Sequence, residues 1–131
     1  MPNTLEFLTA NDNALLTSKA QHLSFAPGQA IIHEGMPGKA VYMLRTGTAV
    51  VQRNGTKIAS LGAGDVCGEM AFLETSSASA SVVAESPVTA DAIDTLELQR
   101  VFVAFPHLAA RFYRSIAVTL SLHDALPISN A

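Results

Sequence analysis

Seven short runs of strand-forming residues, separated by turns, limit the folds open to this chain more than any other feature. Glycine, proline or asparagine stands between most of the runs, and Asn54-Gly55 is the clearest turn because a two-residue type I′ turn needs positive φ at both central positions. Many short strands joined by tight turns predict a small antiparallel barrel or sandwich. The runs are residues 22–25, 30–33, 40–44, 48–53, 56–61, 79–84 and 88–93.

Helices are predicted on both sides of the strands. Asn11 or Asp12 can cap a short helix that reaches about Ser18. After residue 93 the apolar period changes from two to about 3.6, and Asp94 and Glu97 have the spacing of a capping box. The apolar stripe of this helix is Leu98, Val101, Phe102 and Phe105.

A further helix is predicted over residues 107–120, because Pro106 breaks the preceding one or begins the next. Its apolar residues recur at every fourth position, and Arg111 and Arg114 lie off that stripe. Two interpretations stay open: the stripe packs on the strands, or part of it contacts a second subunit or partner domain. The stripe consists of Leu108, Phe112, Ile116 and Leu120.

Composition predicts one globular domain and excludes several classes of function. The 131 residues are 49% apolar and 15% charged, which suits a filled core. The net charge of −3, without a Lys/Arg run, argues against direct nucleic acid binding. Cys67 is the single cysteine and is interpreted as a small buried residue. No secretory start and no apolar run of ~20 residues is found, so we expect a cytoplasmic location without a membrane span.

The chemistry-bearing stretch is residues 61–84, LGAGDVCGEMAFLETSSASASVVA. Gly62, Gly64 and Asp65 predict a tight turn, and residues 68–71 then open a short helical turn whose first N–H groups lack partners. Such N–H groups attract anions, and Gly68 is expected to let the backbone approach a ligand closely. Glu69 can accept hydrogen bonds from ligand hydroxyls. The combination indicates a sugar that carries negative charge.

Three blocks carry a resemblance to a known family: residues 28–35 (GQAIIHEG), 41–47 (VYMLRTG) and 61–84. In this order and spacing they resemble the cyclic nucleotide-binding domain of the catabolite activator family, protein kinase A regulatory subunits and many bacterial sensors. The resemblance covers about residues 5–120. It implies an antiparallel β-roll, a jelly-roll-like double-stranded β-helix, with an N-terminal helix, a short cassette helix and C-terminal helices.

The resemblance also implies a set of ligand-binding residues. Glu69 would bind the ribose 2′-hydroxyl, and the cassette arginine that pairs with the cyclic phosphate is replaced by Ala78. Loss of that bidentate pair should weaken binding by about ten- to several-hundred-fold, although neighbouring serines can supply neutral donors. An alternative is that residues 76–81 form only a solvated loop. The implied ligand-binding residues are Leu61, Gly68, Glu69, Met70, Ala71, Ala78, Ser79, Ala80 and Val82.

The predicted function is regulatory sensing of cAMP or cGMP, with ligand in the 61–84 cassette coupled to the helix at 107–120. A degenerate domain that serves for dimerisation or protein interaction is an alternative, as is a piece of a transcription regulator that lacks its DNA-binding part. No catalytic residue, metal site or cofactor is expected. His22, His33 and His107 lack metal-ligand spacing, and no nucleophile motif occurs.

Residues 121–128, SLHDALPI, resemble the conceptual translation of a widely used sequencing adapter. We therefore interpret residues 1–120 as the domain and 121–131 as a non-native tail, and assign no function to His123 or Asp124. Sequencing the gene from an independent source tests this interpretation, and an intact frame that encodes the same residues would contradict it.

Overall fold

Two antiparallel sheets with helices at both chain ends make up the structure, a computed structural model that describes residues 5–74 and 76–124 and side chains as far as residue 118. The strands are β1 Gln21–Phe25, β2 Ala30–Ile32, β3 Ala40–Thr46, β4 Ala49–Arg53, β5 Thr56–Leu61, β6 Val66–Cys67, β7 Ser81–Ala84 and β8 Val88–Asp94. The helices are α1 Ala10–Lys19, α2 Glu69–Glu74, α3 Thr95–Ala104 and α4 Pro106–Asp124. The sheet orders are β1-β8-β3-β6 and β2-β7-β4-β5, which confirms the predicted β-roll with flanking helices.

The core has two layers, one on each face of the sheet that contains β3, because successive side chains of a strand point to opposite faces. Val41 and Met43 pack in a cluster beneath the helices. Leu44 and the partly buried Tyr42 face the cluster that lies between the sheets, where Val82 and Ala90 are also buried. The helices therefore cover one sheet, and the second sheet closes over its other face.

The β4–β5 hairpin has the turn that the sequence predicts. Asn54 has φ of 53° and Gly55 has φ of 80°, and the flanking residues Arg53 and Thr56 pair across the turn. Two positive φ angles match the twist of the flanking strands in a two-residue loop. This turn fixes the β4–β5 pairing as far as Gln52, where the register shifts, and places Arg53 at the end of β4.

The α1 cap differs from the sequence prediction. Thr9 is the N-cap, and its hydroxyl accepts a hydrogen bond from the Asp12 N–H, while the Asp12 carboxylate accepts one from the Thr9 N–H. Asn11 and Asp12 both lie inside the helix. The Asp12 carboxylate also accepts two bonds from Arg111 of α4, at 2.6 and 2.8 Å. Arg111 chiefly lowers the pKa of Asp12, to about 2, against the opposing effect of burial.

Asp91 of β8 forms a second buried polar cluster. Its carboxylate contacts the His22 ring and accepts a 2.5 Å hydrogen bond from Arg45 Nε, and Arg45 also reaches the Thr17 hydroxyl of α1. Burial alone would raise the pKa of Asp91, but the bonds from Arg45 and His22 outweigh it and lower the pKa. The cluster ties β1, β3 and β8 to α1.

Asp94 caps helix α3 as predicted, and its carboxylate accepts from the Leu96 N–H at 2.8 Å. Glu97, the expected partner in a capping box, instead accepts from Arg100 at 3.4 Å. Leu98 and Val101 are fully buried, but the inclusion of Phe105 in the stripe was wrong. The helix ends at Ala104, and the Phe105 side chain is 48% exposed.

The α4 stripe packs against the chain's own core. Leu108, Phe112 and Ile116 are each at most 2% exposed, so a second subunit would have to contact other residues of α4. The Leu120 side chain lies outside the described residues. The α4 backbone runs four residues into the predicted tail, and residues 125–131 of that tail lie outside the described residues. No helix in the described ranges combines the length and hydropathy needed to cross a bilayer.

Strand boundaries shift by one or two residues from the predicted ones. The two-residue β6, which pairs with β3, was not predicted because it is shorter than any period can reveal. Residues 79 and 80, predicted as the start of a strand, form a bend before β7. That bend matters for the site, because a bend leaves backbone N–H groups outside the sheet ladder.

Candidate functional site

A cavity of about 720 Å³ lies beside α2, between it and the bend before β7. All nine sequence-predicted ligand-binding residues line this cavity, although their roles in binding remain predictions. They come from three places: the end of β5, the start of α2, and the segment that leads into β7. They are Leu61, Gly68, Glu69, Met70, Ala71, Ala78, Ser79, Ala80 and Val82.

The turn that leads into the site is held by Asp65, which is 8% exposed. Its carboxylate accepts from the Gly62 N–H at 2.7 Å, and its own N–H donates to the Gly62 carbonyl. Gly68 follows with φ of 86°, and a Cβ there would lie 2.6 Å from the Ala40 carbonyl oxygen. Gly68 therefore approaches the β3 backbone closely, and its approach to a ligand stays a prediction.

Backbone N–H groups from two segments are available at the cavity. Among the described residues, the N–H groups of Met70 and Ala71 in the first turn of α2 have no hydrogen-bond partner. The same holds for the N–H groups of Ser79 and Ala80 in the bend. The Ala78 N–H, in contrast, donates to the Met36 carbonyl at 2.9 Å. Because the four residues line the cavity, their N–H groups are candidate donors to an anion.

Acidic and titratable groups stand beside these donors. Glu69 is 8% exposed and lines the cavity at the first residue of α2. Burial raises the pKa of the Cys67 thiol, and the charges of Glu69 and Asp65 raise it further. Burial also raises the pKa of Tyr42. The Cys67 thiol is therefore protonated at neutral pH, in line with its interpretation as a buried apolar residue.

Two cations at the cavity were missed by the sequence prediction. Lys39 and Arg53 both line it, and Arg53 Nε donates to the Ser79 carbonyl at 3.1 Å. Arg53 reaches the bend because β4 pairs with β7, with Gln52 opposite Ser81. That register is a long-range property, and no local pattern around Arg53 reveals it.

Apolar side chains form the remaining wall. The sequence prediction included Leu61 and Val82 but not Ile31, Val51 or Ile58, which line the same cavity. Ile58 is 49% exposed and Met36, also a lining residue, is 55% exposed, so both lie where the cavity opens to solvent. A polar end beside α2 and an apolar wall on the second sheet suit a ligand that has one charged and one flat apolar part.

An aromatic cluster joins the cassette helix to the C-terminal helices. The Phe72 ring of α2 lies 5.8 Å from the Phe102 ring and 6.3 Å from the Phe112 ring, and those two rings are 5.0 Å apart. Among the described residues, no group of three or more His, Cys, Asp or Glu side chains is placed to hold a metal ion.

Comparisons with known proteins agree with this architecture. A cAMP-dependent protein kinase regulatory subunit of Hypocrea atroviridis is 34% identical over 96 residues, which are 73% of this chain and 21% of the relative. A cGMP-dependent protein kinase of Eimeria tenella is 34% identical over 106 residues, 81% of this chain and 11% of the relative. The catabolite activator protein of Thermus thermophilus superposes with a TM-score of 0.79 at 26% identity, over 89% of this chain and 57% of that chain.

This chain thus spans about a fifth or less of the length of the two kinase-related proteins. The family model of the cyclic nucleotide-binding domain matches residues 22–104, well over half of the chain. Together with the two-sheet fold, that match confirms the resemblance seen in the sequence, and the chain belongs to the cyclic nucleotide-binding domain family.

Proposed function

We propose that this domain is a regulatory module that binds cAMP, cGMP or a related anionic sugar phosphate in the cavity beside α2. One observation carries the proposal: Met70, Ala71, Ser79 and Ala80, whose N–H groups have no hydrogen-bond partner among the described residues, line the same cavity as Glu69. Amide donors suit a phosphate, whereas a carboxylate suits sugar hydroxyls. The similarity to a cAMP-dependent and a cGMP-dependent kinase protein supports the same class of ligand.

In this proposal each part of the ligand has a matching wall. The cyclic phosphate accepts hydrogen bonds from the Ser79 and Ala80 amides, and the ribose 2′-hydroxyl donates to Glu69. The base lies against Leu61 and Val82. Ala78 offers a methyl group where the family arginine would pair with the phosphate, so affinity is expected to be lower than with that arginine.

Calorimetry with cAMP and cGMP tests the proposal, with the 2′-deoxy forms of both ligands as comparison. Glu69→Gln keeps the side-chain shape, and Glu97→Gln, on α3 away from the cavity, is its matched control. We expect measurable binding, weakened by the 2′-deoxy change and by Glu69→Gln but unaffected by Glu97→Gln. Ala78→Arg should strengthen binding by about tenfold or more, because it adds a charge-assisted pair. Absence of binding at millimolar ligand, in both the natural and the Ala78→Arg protein, would reject the proposal.

The same module is proposed to couple occupancy of the cavity to α4. Phe72 belongs to α2, whose first residues line the cavity, and its ring contacts Phe102 of α3 and Phe112 of α4. Ligand that draws α2 toward the phosphate must therefore repack these rings. Hydrogen exchange of the α4 amides with and without cAMP measures the coupling. If cAMP does not change the exchange rates of the α4 amides, the domain binds ligand without coupling to α4.

An interaction module is the second candidate, because α3 presents apolar side chains to solvent. Val103 is 83% exposed and Leu96 is 62% exposed, and their spacing of seven residues places them on the same face of α3. This function predicts a ligand-independent dimer or complex in sedimentation that Val103→Asp weakens. A monomer over a wide concentration range counts against self-association. A role as the sensing part of a transcription regulator also remains a prediction, tested by the sequence that follows residue 120 in the natural gene.

A further inference from the structure

The cavity contains one arginine, although not at the position where the family carries it. Arg53 is the only arginine among the lining residues of the described structure. The other arginines of the chain are engaged elsewhere: Arg45 with Asp91, Arg100 with Glu97, Arg111 with Asp12, and Arg114 over the Phe7 ring. Arg53 is therefore the arginine that this fold leaves for a ligand.

The Arg53 guanidinium is held beside the bend by a single bond. Its Nε donates to the Ser79 carbonyl at 3.1 Å, which leaves both terminal nitrogens without a partner among the described residues. The nearby Glu34 carboxylate forms no ion pair with it and instead accepts from the Asn54 N–H at 3.1 Å. Four N–H donors of the guanidinium thus remain available.

We infer that Arg53 supplies from β4 the phosphate-binding cation that Ala78 does not supply from the cassette. Ser79, whose carbonyl holds the guanidinium, directly follows Ala78 in the chain, so the charge lies one residue from the family position. The free N–H groups of Ser79 and Ala80 lie in the same bend. The Ala80 N–H belongs to the same trans peptide as the Ser79 carbonyl and points away from the guanidinium, so the donor set for one phosphate is the terminal guanidinium nitrogens with the Ser79 N–H. This inference rests on the proposed function, because it assigns the anion-binding residue of that same site.

Lys39 is the other cation at the cavity and gives a matched control. Its carbonyl accepts from the Thr95 N–H at 3.0 Å, which fixes its backbone at the junction of β8 and α3. A lysine is also a point charge without the planar fork that binds two phosphate oxygens together. Replacing Lys39 with a neutral residue removes one positive charge from the cavity, as replacing Arg53 does, but leaves the hydrogen bond to the Ser79 carbonyl in place.

The experiment measures the affinity of Arg53→Gln and Lys39→Gln for cAMP and cGMP, and for the uncharged nucleosides adenosine and guanosine. Arg53→Gln should weaken cyclic nucleotide binding by about tenfold, the lower end for a charge-assisted bond because the side chain is exposed. Nucleoside affinity should not change. The loss should shrink as salt rises from 0.05 to about 0.5 M, because exposed charges are screened. Lys39→Gln should change affinity by less than about threefold.

A rescue variant separates the charge from the position that carries it. Ala78→Arg placed in the Arg53→Gln protein should restore the lost affinity, because the cation then comes from the cassette side of the same bend. Arg53→Lys should retain part of the affinity, and thermal unfolding of each variant shows whether the fold is kept. Because Arg53 is exposed, we expect unfolding midpoints close to that of the natural protein.

The outcomes distinguish this inference from the proposed function. If the natural protein binds cyclic nucleotides and Arg53→Gln binds them equally well, the assignment of Arg53 is wrong and the proposed function stands. An equal loss of nucleoside and cyclic nucleotide affinity in Arg53→Gln would mean that Arg53 shapes the cavity rather than binding phosphate, which also overturns the assignment. If the natural protein binds no cyclic nucleotide at millimolar concentration, both the function and the assignment fall.

Discussion

The ion pair between Asp12 of α1 and Arg111 of α4 makes Asp12→Asn a direct test of how α4 is held to the domain. Arg111 donates to both carboxylate oxygens, at 2.6 and 2.8 Å. The Asp12 side chain is 8% exposed and that of Arg111 is 36% exposed. Asparagine has the same shape and keeps an acceptor for the Thr9 N–H, but it removes the charge and turns an amide NH2 toward Arg111 Nη2, so the two-bond pair is lost.

The magnitude follows from the pKa of Asp12. Arg111 is the main reason that this pKa falls from 3.8 to about 2 in the folded protein. At about 1.36 kcal/mol per pKa unit, the shift corresponds to about 2.4 kcal/mol of stability at neutral pH. The exposed part of the guanidinium is screened by water, so we expect Asp12→Asn to cost about 1–2 kcal/mol.

The pH dependence of this loss has a definite sign. The carboxyl has a lower pKa in the folded than in the unfolded protein, so its contribution is complete above about pH 5 and falls as pH drops toward 2. Urea unfolding at pH 7, 5 and 3 should give the full difference at the first two values and roughly half of it at pH 3.

Glu97→Gln is the control, because Glu97 pairs with Arg100 at 3.4 Å and the Arg100 side chain is 75% exposed. That pair should contribute less than about 0.5 kcal/mol. The reasoning would be refuted if Asp12→Asn cost no more than Glu97→Gln, or if its cost were the same at pH 3 as at pH 7.

Three further predictions concern the site and the second buried acid. Gly68→Ala should destabilise the fold by about 2 kcal/mol or more in urea unfolding, because it combines positive φ with a Cβ 2.6 Å from a backbone oxygen, whereas Gly62→Ala, with open space around its Cβ, should be nearly neutral. Asp91→Asn should cost about 1–3 kcal/mol at pH 7 because Arg45 loses its buried partner, and a cost that did not shrink on acidification would contradict the lowered pKa. The Cys67 thiol should react with a disulfide reagent at pH 8 at least about a hundredfold more slowly in the folded than in the urea-unfolded protein, and equal rates would show that it is accessible.

Local chemistry explains which parts of the fold could be predicted from the sequence. Asn54-Gly55 specifies its own turn, since few residue pairs adopt positive φ twice, and the pairing next to the turn follows from it, whereas the register shift between Val51 and Gln52 does not. Thr9 was missed as the α1 cap because Asn11 and Asp12 are equally good cap residues, and only the folded chain shows that Asp12 is the third helical residue and bonds back to Thr9. Phe105 has the spacing of the α3 stripe, but the helix ends one residue before it.

In the candidate site, too, only the residues that belong to a local sequence pattern could be predicted. The residues of the continuous stretch 61–84 could be assigned to the cavity because a local pattern carries them, and all of the assigned ones line it. Arg53 and Lys39 could not be assigned, because their positions depend on strand pairing and loop packing between segments far apart in sequence. The sequence therefore suggested a site without a cation, and the pairing of β4 with β7 brings one in.

The position of Phe72 explains why occupancy of the cavity and placement of α4 are expected to be linked in the proposed function. Phe72 lies in the six-residue helix α2, whose first residues line the cavity, and its ring is part of the cluster buried beneath α4. The Phe72 ring contacts the Phe102 and Phe112 rings at 5.8 and 6.3 Å, so a shift of α2 is expected to move the rings of α3 and α4 with it. A ligand can drive that shift only by the difference between its affinities for the two arrangements. The Asp12–Arg111 pair resists displacement of α4, so weakening the pair should make α4 respond at lower ligand occupancy without a change in the phosphate contacts.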